Sequence, residues 1–132
     1  MLKNKKLFFI ALITIFLAQL SKADTMGEKQ MLKFQPKGLT WEKMLSIVKV
    51  EGKPGLIYFK SACGVCKAME ERFFSDDKAI KFIESNFVPF KIDIDKDRDG
   101  FMLSKQFNVD GFPTLVFINN SGDMLSRVKI IP

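Results

Sequence analysis

The chemistry in this chain of 132 residues centres on its only two cysteines, Cys63 and Cys66, which are separated by two residues. An apolar run, residues 55–59, precedes them, and a helical pattern, residues 67–74, follows. A Cys-x-x-Cys pair at such a strand-to-helix junction is typical of a redox-active dithiol. The unpaired N–H groups of a helix's first turn stabilise a thiolate, which lowers its pKa below the free value of roughly 8.5. We therefore predict that Cys63 is the nucleophile and Cys66 the resolving thiol.

Two other roles for the cysteine pair fit the sequence less well. A structural zinc site needs two further ligands, usually Cys or His, and the chain has no histidine and no third cysteine. A structural disulfide would close a very short loop, whereas the stabilisation that a disulfide gives grows with loop length. Redox chemistry without a cofactor or a metal is therefore the favoured interpretation.

Residues 1–23 have the pattern of a cleavable export signal. Lysines open the segment, residues 7–17 are apolar apart from Thr14, and small residues at positions 21 and 23 predict cleavage after Ala23. An uncleaved anchor is less favoured because the apolar run is shorter than the ~20 residues that span a bilayer. We expect a periplasmic protein with a polar lead-in, residues 24–38, and one domain, residues 39–132.

The charge balance gives no case for nucleic-acid binding. Removing the four lysines of the export signal lowers the basic count from 21 to 17 against 15 acids, so the net charge falls from +6 to +2. Outside the cytoplasm disulfides persist unless another protein reduces them. A lone Cys-x-x-Cys pair there belongs to an oxidant, an isomerase or a reductant that receives electrons from elsewhere.

The hydrophobic pattern around the cysteines predicts alternating strands and helices. Thr40 is a candidate N-cap for a helix with an apolar stripe over residues 41–48, and Gly52 to Gly55 ends that helix. In the helix after the cysteines, Met69 and Phe73 share the face of Cys66. The other predicted elements are strands at residues 31–35, 56–59, 88–94, 114–118 and 124–131 and helices at residues 67–74, 80–87 and 101–107. This order gives a mixed sheet with helices on both faces.

Three segments in this order resemble the thioredoxin superfamily over residues 40–129. They are Cys63–Lys67 (CGVCK), Lys91–Asp95 (KIDID) and Gly111–Thr114 (GFPT). Residues 69–76 and 86–89 look like exported bacterial members, including the C-terminal thioredoxin-like domain of the transmembrane thiol-disulfide transporter. The resemblance implies an α/β fold, a three-layer α/β/α arrangement with a mixed four- to five-stranded sheet.

The resemblance also implies a binding role for Phe112 and Pro113. Pro113 matches the family's cis-proline, which faces the disulfide; cis bonds make up only about one in twenty X-Pro bonds in folded proteins. It would expose the backbone of Phe112 to pair with an extended protein substrate, as in strand addition.

The sequence departs from the family at several positions. Ile57 replaces the buried acid that assists proton transfer in thioredoxin itself, and Ala62 replaces the usual tryptophan before the first cysteine. Lys91 matches a family lysine that could help proton transfer or act electrostatically, but without that acid we expect an ordinary surface charge. The chain ends at Pro132, where the family adds a C-terminal helix, so we expect that helix to be missing.

The acidic segment that begins at Asp95 resembles the opening of a calcium-binding EF-hand loop. Asp95, Asp97 and Asp99 occupy the first ligand positions, but position twelve is Gln106 where a bidentate Glu is expected. The segment before it is also predicted as a strand rather than a helix. A solvated turn, whose aspartates cap the helix near Phe101, is the simpler interpretation of this segment.

We therefore predict a monomeric periplasmic thiol–disulfide oxidoreductase that exchanges its dithiol with protein disulfides. The dipeptide Gly64–Val65 lacks the histidine that helps strong oxidants, which favours a reductant supplied by a membrane electron donor. The alternatives are a non-catalytic binding or chaperone module that uses the Phe112–Pro113 groove, and a weak calcium-binding domain. An insulin-reduction assay separates the enzyme from the binding module.

Overall fold

The computed structural model describes residues 2–20 and 28–131 of the chain. Its helices and strands, in chain order, are α1 (Leu2–Leu20), α2 (Trp41–Glu51), β1 (Gly55–Lys60), α3 (Gly64–Arg72), α4 (Asp77–Asn86), β2 (Val88–Asp93), α5 (Arg98–Gln106), β3 (Thr114–Ile118) and β4 (Met124–Lys129). The predicted cleavage site after Ala23 lies outside the described residues. Within those residues, no helix combines the length and the apolarity that crossing a membrane requires.

The four strands form one mixed sheet in the order β2-β1-β3-β4. Strand β1 pairs with β2 in parallel and with β3 antiparallel, and β3 and β4 form an antiparallel hairpin. The side chains of residues 56–59 are all buried, because β1 has a strand on each side and helices over both faces. The prediction of an α/β fold with a mixed sheet is confirmed.

The side chains of β1 alternate between two hydrophobic cores. Ile57 and Phe59 join the core under α2 and α5, whereas Leu56 and Tyr58 join the core under α3 and α4. Each fully buried side chain of this size contributes about 1.5–3 kcal/mol relative to an exposed one. The two cores fix β1 from both faces, and β1 leads directly to the cysteines.

Helix α2 begins and ends where its sequence predicts. The Thr40 side chain accepts a hydrogen bond from Lys43 N (3.3 Å), which satisfies one of the free N–H groups of the first turn. Gly52 adopts a left-handed conformation (φ 66°) and donates its N–H to the carbonyl of Val48. A polar break also separates α3 from α4, where Asp76 accepts a hydrogen bond from Ala79 N (2.9 Å).

Three expectations for individual elements are wrong. Residues 31–35 form no strand, because Leu32 N and Gln35 N donate only isolated hydrogen bonds, to Phe74 O and Pro89 O. Phe73 is 44% exposed while Phe74 is fully buried, although Phe73 keeps a helical backbone and donates its N–H to Met69 O (2.9 Å). The chain leaves the helix at Phe74, whose N–H turns to the same carbonyl and whose ring enters the core. Helix α5 begins at Arg98, three residues before the predicted start.

Candidate redox site

The two cysteines lie at the start of α3, directly after the most buried strand of the sheet. Cys63 is the N-cap residue with an extended backbone, and it forms a disulfide with Cys66, whose Cα atom is 5.2 Å away. Cys66 is only 1% exposed, whereas Cys63 is partly exposed. A molecule that approaches from solvent therefore reaches the sulfur of Cys63 before that of Cys66.

The backbone of α3 is arranged around the sulfur of Cys63. Cys66 N donates a hydrogen bond to Cys63 Sγ (3.1 Å), and Lys67 N donates one to Cys63 O (3.1 Å). The Lys67 bond is the first regular bond of the helix, whereas the Cys66 N–H is a first-turn group without a backbone partner, at the end where the helix dipole favours negative charge. The sulfur of Cys63 occupies the position in which such groups stabilise a thiolate.

The loop with Phe112 and Pro113 lies at the same end of the sheet as the cysteines. Its Phe112–Pro113 peptide bond is cis. The next residue, Thr114, pairs with Phe59 of β1, four residues before Cys63. Pro113 is buried and Phe112 is half-buried, and the carbonyl of Pro113 accepts a hydrogen bond from Ile130 N (3.0 Å).

A group of charged side chains lies on the buried side of α3. Glu70 Oε1 is 2.9 Å from Lys91 Nζ and 3.4 Å from Lys60 Nζ, and all three side chains are about one fifth exposed. The Lys91 contact is the closer of the two ion pairs. The expectation that Lys91 is an ordinary surface charge without an acidic partner is wrong, since Glu70 is that partner.

Glu70 and Tyr58 are site residues that the sequence interpretation missed. Burial raises the pKa of the Glu70 carboxyl, but the ammonium groups of Lys91 and Lys60 outweigh burial and hold the pKa below its usual value. Burial, and then the charges of Glu70 and Asp93, raise the pKa of Tyr58. Tyr58 therefore stays neutral, and its hydroxyl donates a hydrogen bond to the carbonyl of Cys66 (3.3 Å).

The spacing of Glu70 from Cys66 was the available signal. Residues four apart lie on the same face of a helix, so Glu70 follows Cys66 by one turn. A buried cysteine therefore predicts that the side chain at position 70 turns towards the sheet, where Lys60 on β1 and Lys91 on β2 compensate its charge.

The segment after β2 uses its aspartates to bind backbone N–H groups. Asp95 Oδ2 accepts a hydrogen bond from Ala62 N (2.8 Å), and Asp97 Oδ2 accepts one from Asp93 N (2.9 Å). Asp97 precedes α5, but its side chain makes no capping hydrogen bond, so the expected cap is absent. In the parts of the chain that the structure describes, no three Cys, Asp or Glu side chains lie close enough together to hold a metal ion.

Comparison with known proteins agrees with this geometry. A sequence model of the thioredoxin-like domain matches residues 41–129, which include both cysteines, the paired strands and the Phe112–Pro113 loop. The chain belongs to the thioredoxin-like domain family. The match confirms the resemblance expected from the sequence, and it begins at the first residue of α2.

Relatives and solved structures of this family carry thiol–disulfide names. The thiol:disulfide interchange protein DsbD of Yersinia pestis is 27% identical over 101 residues, which cover 75% of this chain but only 17% of that protein. A disulphide isomerase from Xylella fastidiosa is 27% identical, with a TM-score of 0.60 over 74% of this chain and 79% of that one. The DsbH oxidoreductase shares the fold, with a TM-score of 0.64 at 19% identity over 87% of this chain and 88% of that one.

Proposed function

We propose that this protein is a periplasmic thiol–disulfide oxidoreductase that acts on protein disulfides, with Cys63 as the nucleophile and Cys66 as the resolving thiol. The observation that carries the proposal is the difference between the two sulfurs. Cys63 is partly exposed and accepts the N–H of Cys66, whereas Cys66 is buried. Entry of a substrate at one sulfur and its release by the other follow from this arrangement.

The reaction transfers two electrons in two exchange steps. The Cys63 thiolate attacks a substrate disulfide, forms a mixed disulfide and releases one substrate sulfur as a thiolate. The Cys66 thiolate then attacks Cys63 Sγ, restores the Cys63–Cys66 disulfide and releases the second substrate sulfur. The substrate gains two electrons and two protons. A dithiol donor, in our proposal one held in the membrane, returns the pair to the reduced form.

Phe112 and Pro113 are proposed to bind the substrate beside the disulfide. Their loop lies at the end of β1 that leads to Cys63, and in our proposal the backbone of Phe112 pairs with an extended chain. Lys91 is proposed to help electrostatically through Glu70, one helical turn after Cys66. The two form a charge pair on the buried side of α3.

Export and the direction of electron flow are further parts of the proposal. Residues 1–23 would be removed, leaving the polar lead-in, residues 24–38, and the domain, residues 39–132. The net charge of +2 that remains gives no reason to expect nucleic acid as a partner, and we propose a monomer. Reduction rather than oxidation of substrates is favoured because the dipeptide between the cysteines has no histidine.

The test is a trapping experiment with single cysteine variants of the full chain. C66A should accumulate mixed disulfides with exported proteins, because Cys63 still attacks and nothing releases the product. The matched variant C63A should trap far fewer, since its remaining sulfur is buried. Wild type should reduce insulin with dithiothreitol as the electron source, and both variants should not.

Two results would contradict the proposal. A C66A protein with a free Cys63 thiol that forms no mixed disulfide would remove the mechanism. A wild-type protein that binds unfolded chains but leaves insulin oxidised would instead support the binding module. The equilibrium of the Cys63–Cys66 pair with glutathione then orders reductant, isomerase and oxidant, because these classes span roughly 150 mV.

A further inference from the structure

A hydrogen bond connects the acidic segment after β2 to the residue directly before the first cysteine. Ala62 N donates to Asp95 Oδ2 at 2.8 Å. Asp95 is itself held in place, because its own N–H donates to Asp93 Oδ1 (3.2 Å). The carboxylate of Asp95 therefore has a defined position beside the backbone that leads to Cys63, although the residue lies 32 positions later in the sequence.

Several other charged groups near the cysteines have partners of opposite sign. Glu70 lies between Lys60 and Lys91. The remaining pairs are Lys60 and Lys96 with Asp93 at the end of β2, Lys67 with Glu71 on α3, and Lys129 with Asp110 beside the Phe112–Pro113 loop. Among the described residues, no lysine or arginine lies within ion-pair distance of Asp95. In the part of the chain that the structure describes, the N–H of Ala62 is therefore the direct polar contact of its carboxylate.

We propose that Asp95 is a positioning residue that fixes the loop before Cys63 and makes the Cys63–Cys66 pair more reducing. This inference rests on the redox function proposed above. A negative charge disfavours a nearby thiolate, so it opposes the effect of the helix N-terminus. When the thiolate of the reduced pair is less stable, the reduced form is less favoured and the pair is a weaker oxidant.

The size of the effect follows from the exposure of Asp95. The carboxylate of Asp95 is bonded to the neighbour of Cys63, and two unit charges separated by roughly 7 Å, the span of two residues, change an ionisation constant in water by roughly threefold. We therefore expect Asp95 to shift the equilibrium of the pair with glutathione by up to about threefold, or about 14 mV at 29.6 mV per tenfold change. The direction is towards stronger reduction, which agrees with the proposed role as a reductant.

The variant D95N separates charge from position. Asparagine keeps an oxygen that can accept the Ala62 N–H but carries no charge, whereas D95A removes both. D99N is the matched control, because it removes the same charge from an exposed residue on the first turn of α5. In the full chain, the Cys63 pKa is measured from the pH dependence of alkylation by iodoacetamide, and the equilibrium with glutathione is measured beside it.

D95N should lower the Cys63 pKa by about half a unit, which is about threefold in the ionisation constant. It should also make the pair more oxidising by up to the same factor, and D99N should change neither value. D95A should show the same shifts and also react more slowly with a peptide disulfide, because the loop before Cys63 loses its hydrogen bond. High salt should reduce the D95N effect, because Asp95 is exposed.

The inference is overturned if D95N leaves both values at those of wild type, or if D99N shifts them as much as D95N does. Far-UV circular dichroism confirms that each variant is folded. Neither the pKa nor the glutathione equilibrium requires a protein substrate. A wild-type protein that fails to reduce insulin would therefore contradict the proposed function, whereas the role of Asp95 would still be decided by the Cys63 pKa and the glutathione equilibrium of the variants.

Discussion

Replacing Glu70 with glutamine should destabilise the protein by far more than the same change at its neighbour Glu71. The Glu70 carboxylate is the shared partner of Lys60 and Lys91, and the three side chains are about one fifth exposed. The E70Q variant keeps the shape of the side chain but leaves Lys91 facing a neutral amide and Lys60 with only its longer contact to Asp93 (4.0 Å). Glu71 forms an ion pair with Lys67 whose side chains are 58% and 77% exposed.

The expected magnitude follows from this difference in exposure. Removing one partner of a fully buried ion pair costs about 3–5 kcal/mol. Water screens a pair that is one fifth exposed, so we expect E70Q to lower the free energy of unfolding by about 2 kcal/mol. For a domain of about 100 residues this corresponds to a fall in Tm of roughly 10 °C. The exposed pair makes E71Q cost less than about 0.5 kcal/mol.

The effect should also depend on pH with a definite sign. The folded-state pKa of Glu70 lies below its ordinary value of 4.5, so the unfolded chain takes up the proton first as the pH falls. The contribution of Glu70 is therefore present above about pH 4.5 and is lost as the pH falls through the folded-state pKa. E70Q lacks this contribution, so its stability should fall less steeply than that of wild type below pH 4.5.

The assay is urea unfolding of the oxidised protein between pH 3 and pH 7, followed by circular dichroism. The interpretation of the charge group is refuted if E70Q and E71Q lose the same stability at pH 7. It is also refuted if wild type and E70Q lose stability in parallel below pH 4.5, because Glu70 would then gain nothing from its lysines.

Three further predictions concern other features of the chain. Y58F should lower the free energy of unfolding by about 1 kcal/mol, since it removes the hydroxyl that binds the carbonyl of Cys66; urea unfolding measures it, and an unchanged value would contradict the role of this hydrogen bond. G122A should lower the free energy of unfolding by about 2 kcal/mol, because φ is +87° and the new Cβ would lie 2.8 Å from the Trp41 ring. Thermal unfolding measures this loss, and G64A, whose new Cβ would have no atom within 4 Å, is the control. Mass spectrometry of exported protein should find a mature chain that begins at Asp24, and an intact N-terminus would refute the cleavage.

The parts of the fold that depend on local patterns could be predicted from the sequence. The continuous apolar run of β1 indicates a strand buried on both faces, and Thr40 and Gly52 mark the two ends of α2. The strand expected at residues 31–35 could not be excluded in this way, because Leu32 is buried and Phe34 half-buried without a neighbouring strand to pair with. The local spacing of apolar residues predicts which side chains are buried, but it does not predict whether the backbone pairs with another strand.

The parts of the site that depend on contacts between distant residues could not be predicted. The sequence predicts no acidic partner for Lys91, because Ile57 occupies the family position of that acid, whereas the structure supplies Glu70 from a helix. Asp95 matched the opening of a calcium loop by spacing alone. Its hydrogen bond to Ala62 depends on where β2 ends relative to β1, which no short pattern contains.

The unequal exposure of the two cysteines also determines which of them would react first with peroxide. Peroxide oxidises first the thiolate that solvent can reach, to a sulfenic acid, so oxidation of the reduced protein would begin at Cys63. Cys66 is shielded and lies within bonding reach, and a sulfenic acid condenses with such a thiol to form a disulfide and water. The buried neighbour would thus return the exposed sulfur to a recoverable state before irreversible overoxidation.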